Sequence, residues 1–133
     1  VVDFIDKIAW IHLDERRLLC ARNAGRERFY LPGGKREPGE SDLETLVREI
    51  AEELTVTLDP DTAAYVGTFE ALADGRSDGL VVRLTCYTAR HVGTFSPSRE
   101  IDELAWMTAS DGDRVSAVDR LVLDHLHAAG LLA

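Results

Sequence analysis

The sequence predicts an α/β layered fold with a mixed β-sheet. Two observations carry that prediction. Apolar, β-branched segments of strand length and two stretches of helical period follow one another in the order strand-rich, helix, strand-rich, helix. In addition, no internal repeat, low-complexity tract or long linker divides the 133 residues, so residues 1–133 are expected to form one domain, of a size that buries a real core.

Taken in order, residues 4–13 mix apolar and polar positions with β-branched and aromatic types and read as a strand. Asp14-Glu15-Arg16-Arg17 supplies a tight polar turn, and residues 18–21 return as a second strand, giving a hairpin. Residues 23–28 form a loop, followed by a short extended piece at residues 29–31. Pro32-Gly33-Gly34 reads as a turn, and Pro38-Gly39 as another. A helix begins at Ser41, which has capping-box spacing with Glu44, while Glu40 and Asp42 favour the positive end of its dipole. Leu43, Leu46, Val47, Ile50 and Leu54 recur three and four apart and form its core-facing stripe. Asp59-Pro60-Asp61 breaks the chain. Residues 64–73 and 80–91 form two long extended runs joined by a turn at 74–79. Residues 100–107 end in a short strand. The run Val115, Val118, Leu121, Val122, Leu123, Leu126 indicates an amphipathic helix, with Ser110 or Asp111 capping its start and Gly130 its end.

Composition narrows the function. A net charge of −9 argues against binding a nucleic-acid polymer, which needs a basic surface to displace counterions. A small phosphorylated substrate stays open, because a bound metal reverses the local field. No apolar run approaches membrane-spanning length and no charged-then-apolar leader opens the chain. Cys20 and Cys86 lie in apolar, strand-like runs, as buried free thiols do, and a cytoplasmic protein fits that usage.

The helix after Ser41 carries an unusual load. At about 100° per residue, Glu49, Glu52 and Glu53 share an arc of roughly 100° beside the apolar stripe, with Arg48 next to them. An acidic helix face is ordinarily solvated surface. Carboxylates gathered this closely, however, repel one another and take up protons unless a cation neutralises them. Mg²⁺ is the natural cation, with Mn²⁺ the alternative, because hard ions prefer oxygen ligands and Mg²⁺ is shared between carboxylates and substrate phosphates. Gly33 and Gly34 would let backbone approach a ligand. His12, His91, His125 and His127 show no metal-ligand spacing.

Gly34, five residues, Glu40, seven residues, then Arg48-Glu49-Ile50-Ala51-Glu52-Glu53 resembles the signature of the Nudix hydrolases, and the match runs from Gly34 to Val56. It departs from that signature at Thr55, where a helix-ending glycine is usual. The order of the remaining elements resembles a Nudix domain, which implies a mixed sheet sandwiched between α-helices. The resemblance implies Mg²⁺ held by Glu52, Glu53 and the Gly34 carbonyl. Glu49 would be a further ligand or the general base, Arg48 would orient the glutamates, and Glu40 would support the site. Glu100, six residues before Trp106, sits where some members place another metal-binding or basic glutamate. Arg22 resembles a phosphate-holding position. Gly33, Lys35 and Tyr30 join it as candidate substrate contacts, with Phe29 a candidate stacking residue.

The function implied is a metal-dependent pyrophosphohydrolase acting on a nucleoside diphosphate linked to a further group, a nucleotide-derived small molecule. A nucleoside triphosphate, oxidised ones included, is the simplest case. ADP-ribose, dinucleoside polyphosphates and nucleotide sugars stay open, as does a homodimer. A non-catalytic nucleotide-binding module on the same fold is the other reading. Retention of every charged signature residue weighs against it.

Overall fold

Strand β1 (Phe4–Trp10) is the pivot of the fold. A computed structural model describes residues 4–73 and 79–133; all but the last residue of the turn expected at 74–79 lies outside the described residues. β1 alternates along its length: Ile8 and Trp10 enter one apolar cluster, Ala9 and the following Ile11 the other. An element buried on both faces needs a layer on each side. The first layer is helix α1 (Asp42–Leu54), whose Leu46, Ile50 and Leu54 meet Ile8 and Trp10. The second is helix α2 (Ala117–Ala128), whose Val118, Val122, Leu123 and Leu126 pack with Ala9 and Ile11.

Two sheets lie between the helices. In the order of the chain the remaining strands are β2 (Leu13–Asp14), β3 (Arg17–Asn23), β4 (Gly33–Lys35), β5 (Thr57–Leu72), β6 (Val81–Val92) and β7 (Ile101–Met107). One sheet runs β4-β1-β6-β5, the other β2-β3-β7. β1 and β6 are parallel, whereas β1–β4 and β5–β6 are antiparallel, so the four-stranded sheet is mixed as expected.

Four local expectations are corrected. The hairpin belongs to β2 and β3 rather than to β1, with Asp14 opposite Arg17. Glu15 and Arg16 adopt φ of 51° and 59° at its two-residue turn, the primed geometry that matches strand twist. Gly33-Gly34 is not a turn but the start of β4, where Gly34 sits opposite Ile8. Asp59-Pro60-Asp61 does not end a strand: β5 passes through it, and the register shifts between Asp59 and Ala64. β5 is an edge strand, which tolerates the missing donor of proline. Helix α2 is capped at Ser116, not Ser110 or Asp111, which lie in a separate 3₁₀ turn at Ala109–Asp111.

The ends of α1 are set by side chains. Ser41 and Glu44 form the reciprocal capping box. At the other end Thr55 occupies the left-handed region, φ 60° and ψ 26°, as the usual glycine would, at a cost of about 1–2 kcal/mol. Its hydroxyl lies 2.6 Å from the Leu54 carbonyl oxygen and 3.2 Å from that of Ser96. Among the described residues no helix is long and apolar enough to cross a membrane.

Candidate active site

A cleft of about 850 Å³ opens where α1, the β4–β1 edge and the start of α2 meet. The register of β4 on β1 puts Gly33 and Gly34 against α1. The Gly33 N–H donates to Glu53 Oε1 at 2.8 Å. A methyl at Gly34 would come within 2.4 Å of the Glu49 carboxyl carbon, so any side chain there would displace the Glu49 carboxylate from this position. Glu49 and Glu53, one turn apart on α1, thereby face the same cleft. Glu100 joins them from the segment between β6 and β7.

Their electrostatics follow from this placement. Glu53 is 4% exposed. Burial raises its pKa to about 8, helped by the charges of Glu49 and Glu100 and opposed by the Gly33 N–H. Burial also raises Glu49, with Arg48 pulling the other way and Glu52 and Glu100 adding to the rise. Two neighbouring carboxyls that resist ionisation are a site lacking positive charge.

Arg48 organises the far side of these glutamates. It grips Glu40 bidentately, Nε to Oε2 at 2.7 Å and Nη2 to Oε1 at 2.9 Å. Its Nη1 donates to Glu49 Oε1 at 2.9 Å and reaches Glu52 Oε2 at 3.4 Å, and Nη2 also reaches the Lys35 carbonyl at 3.1 Å. All the guanidinium N–H groups are thus engaged. Arg48, together with the N–H of Glu37, draws the Glu40 carboxyl down to about 2.

The structure brings Glu49, Glu53, Glu100, Gly33, Gly34, Lys35 and Tyr30 to the cleft. Glu52 is turned toward Arg48 and does not line it. Arg22 is not among the residues lining the cleft. Its guanidinium is held by Asp102 at 2.9 Å and Glu103 at 3.1 Å, away from the cleft lining. Phe29 is also reassigned, being buried in the core with its backbone bridged to Val115. Sequence reasoning missed Lys7, Asn23, Arg26 and Asp119, all of which line the cleft. A lysine within the apolar start of a strand was the available signal for Lys7, which sits 5.9 Å over the Tyr30 ring. Tyr30 donates its hydroxyl proton to Asn23 Oδ1. Burial, then Glu53 and Glu100, raises its pKa and keeps that proton in place.

The donor set suits a hard divalent cation: carboxylates of raised proton affinity beside backbone made accessible by glycine. Among the described residues no three acidic, histidine or cysteine side chains converge in ligand geometry, and Glu52 remains engaged with Arg48.

A family model described as NUDIX domain matches residues 7–126. No curated protein matches the chain. Among solved structures, the ORF135 protein of E. coli is 25% identical with a TM-score of 0.74, the alignment covering 96% of this chain and 94% of that one. A MutT protein of Bacillus halodurans is 27% identical with a TM-score of 0.70, over 91% of this chain and 80% of the other. A MutT protein of Methanosarcina mazei is 20% identical with a TM-score of 0.76, over 97% and 96%, and supports the fold.

Proposed function

The chain belongs to the Nudix family, hydrolases of phosphorus-containing anhydrides, and from that premise we propose a Mg²⁺-dependent pyrophosphohydrolase. Its substrate would be a nucleoside diphosphate linked to a further group, most simply a nucleoside triphosphate, with base-oxidised ones included. The observation that carries the reading is that Glu49, Glu53 and Glu100 line one cleft with the Gly33-Gly34 backbone, and that Lys7, Lys35 and Arg26 line it too.

Glu49, Glu53 and Glu100 with the Gly34 carbonyl, and Glu52 on release from Arg48, would hold the cation. When bound, it supplies charge neutralisation at the phosphate oxygens and acidifies a water. The chain's own residues do the rest. Lys7, Lys35 and Arg26 receive the polyphosphate by charge. Glu49 or Glu100 accepts the proton of the attacking water as its oxygen bonds to phosphorus and the phosphoanhydride P–O bond breaks. Arg48 keeps Glu49 in one orientation, so the base does not have to be ordered during the reaction. Tyr30 and Asn23, fixed to each other, shape the wall of the cleft. Together these give a monophosphate and pyrophosphate from a triphosphate.

Product analysis by phosphorus NMR across a nucleotide panel, with Mg²⁺ and with Ca²⁺ as control, tests the reading. The wild-type chain should release a monophosphate and pyrophosphate, and Glu53→Gln should abolish turnover while the circular dichroism spectrum is unchanged. Near-normal metal-dependent hydrolysis by Glu53→Gln would overturn it. Tight nucleotide binding without turnover in the wild-type chain would place it with the binding modules.

A further inference from the structure

The segment between β6 and β7 is fastened to the end of α1 at several points. The Ser96 N–H donates to the Leu54 carbonyl at 3.0 Å, and the Ser98 N–H donates to the carbonyl of Glu53 at 2.9 Å. The Thr55 hydroxyl has one proton to share between the Leu54 carbonyl at 2.6 Å and the Ser96 carbonyl at 3.2 Å, and the contact to Ser96 ties the helix end to the segment. These bonds occupy carbonyls that the last turn of a helix otherwise leaves unpaired. On its other flank Phe95 stacks on His91 at 4.8 Å and lies 5.4 Å from the His12 ring and 6.0 Å from Trp10. Trp10 is wholly buried, so Phe95 ties the segment to the core beneath α1. Beyond Ser98, Arg99 adopts φ 60°, and the Ile101 N–H closes back on the Ser98 carbonyl at 3.2 Å. Glu100, inside that turn, lines the cleft, and its own carbonyl is fixed by the Ala24 N–H at 2.9 Å.

We infer that Thr55 and Phe95 are positioning residues that hold Glu100 in register with Glu53. This inference rests on the proposed hydrolase reading and deepens it. The connection is short: Ser98 grips the backbone of Glu53 itself, and Glu100 follows two residues later. A threonine where the helix end favours glycine is then explained. Its hydroxyl supplies a tether that glycine lacks, in exchange for a strained backbone.

The test uses the full chain and the variants Thr55→Val, Thr55→Ser, Phe95→Ala and Phe95→Leu. Amide hydrogen exchange at Ser96 and Ser98 reads the tether directly, without metal or substrate. Thr55→Val and Phe95→Ala should speed exchange there, by about threefold and about tenfold, the scale of one exposed hydrogen bond and one apolar anchor. With Mg²⁺ and a nucleoside triphosphate, kcat should fall by similar factors while KM stays level. Thr55→Ser and Phe95→Leu should restore both readouts, and in a Glu100→Gln background neither Thr55→Val nor Phe95→Ala should lower kcat further. Unchanged exchange, unchanged kcat in loosened variants, or an undiminished kcat loss in the Glu100→Gln background overturns the inference. Should the wild-type chain turn over no nucleotide, the hydrolase reading falls and exchange alone decides whether the tether exists. Thr55, on the surface, guards against a Phe95→Ala variant that fails to fold.

Discussion

The backbone N–H of Gly33 donates to Oε1 of Glu53 across 2.8 Å. Glu53 is buried, and that N–H is the hydrogen-bond donor its carboxyl meets at the β4 edge. The same glycine cannot be replaced. Its φ is 149°, and a Cβ there would stand 2.0 Å from the Ile8 carbonyl oxygen. Gly33→Ala should therefore push β4 off β1 and withdraw the donor together. A loss of about 3 kcal/mol in urea unfolding is expected, from backbone strain plus overpacking, along with loss of hydrolysis. A variant of wild-type stability would show that β4 yields without strain, contrary to this contact.

Arg48 offers a milder perturbation of the same site. Lysine keeps the charge but not the fork that spans Glu40, Glu49 and Glu52. Arg48→Lys should lower kcat by roughly 10- to 100-fold, the range found when an outer partner of a metal ligand is altered. The Glu40 carboxyl, now drawn down to about 2 chiefly by Arg48, should move back toward the ordinary carboxylate range. Carbon-detected NMR titration of the glutamates reads that shift independently of turnover. A Glu40 titration that does not move in Arg48→Lys would mean that Arg48 is not what holds it.

The parts of this site that were legible in the sequence are those governed by local rules. Helical period and a capping box fixed by residues three apart placed α1 and put Glu49 and Glu53 on one side of it. What escaped depends on partners distant in the chain. Gly33-Gly34 has turn composition, and only pairing with β1 makes it a strand. Arg22 stands next to last in β3, and β3–β7 register sets it opposite Glu103, which holds it as an ion pair. Glu52 shares the helical arc of Glu49 and Glu53 but follows Arg48 instead of the cleft. Proline at position 60 signals a break, and its tolerance depends on β5 being an edge, a property of the assembled sheet.

Glu53 also sets a pH dependence with a defined sign. In the folded chain its carboxyl keeps a proton up to about pH 8, against an ordinary value of 4.5. A group whose pKa is raised by folding stabilises the fold fully below its unfolded value and loses that contribution as pH rises through the folded value. In chelator, the unfolding free energy should therefore fall between about pH 4.5 and pH 8, by about 5 kcal/mol at about 1.4 kcal/mol per pKa unit, and level off above. Glu53→Gln has no proton to lose there and should show a flatter profile. Mg²⁺, which binds only the ionised carboxylate, should offset the loss in the wild-type chain at pH 8–9 and leave the glutamine variant nearly unmoved. Urea melts at pH 5, 7 and 9, with chelator and with Mg²⁺, give the comparison. Parallel pH profiles for the two proteins would show that Glu53 is not the buried acid that the cleft is built around.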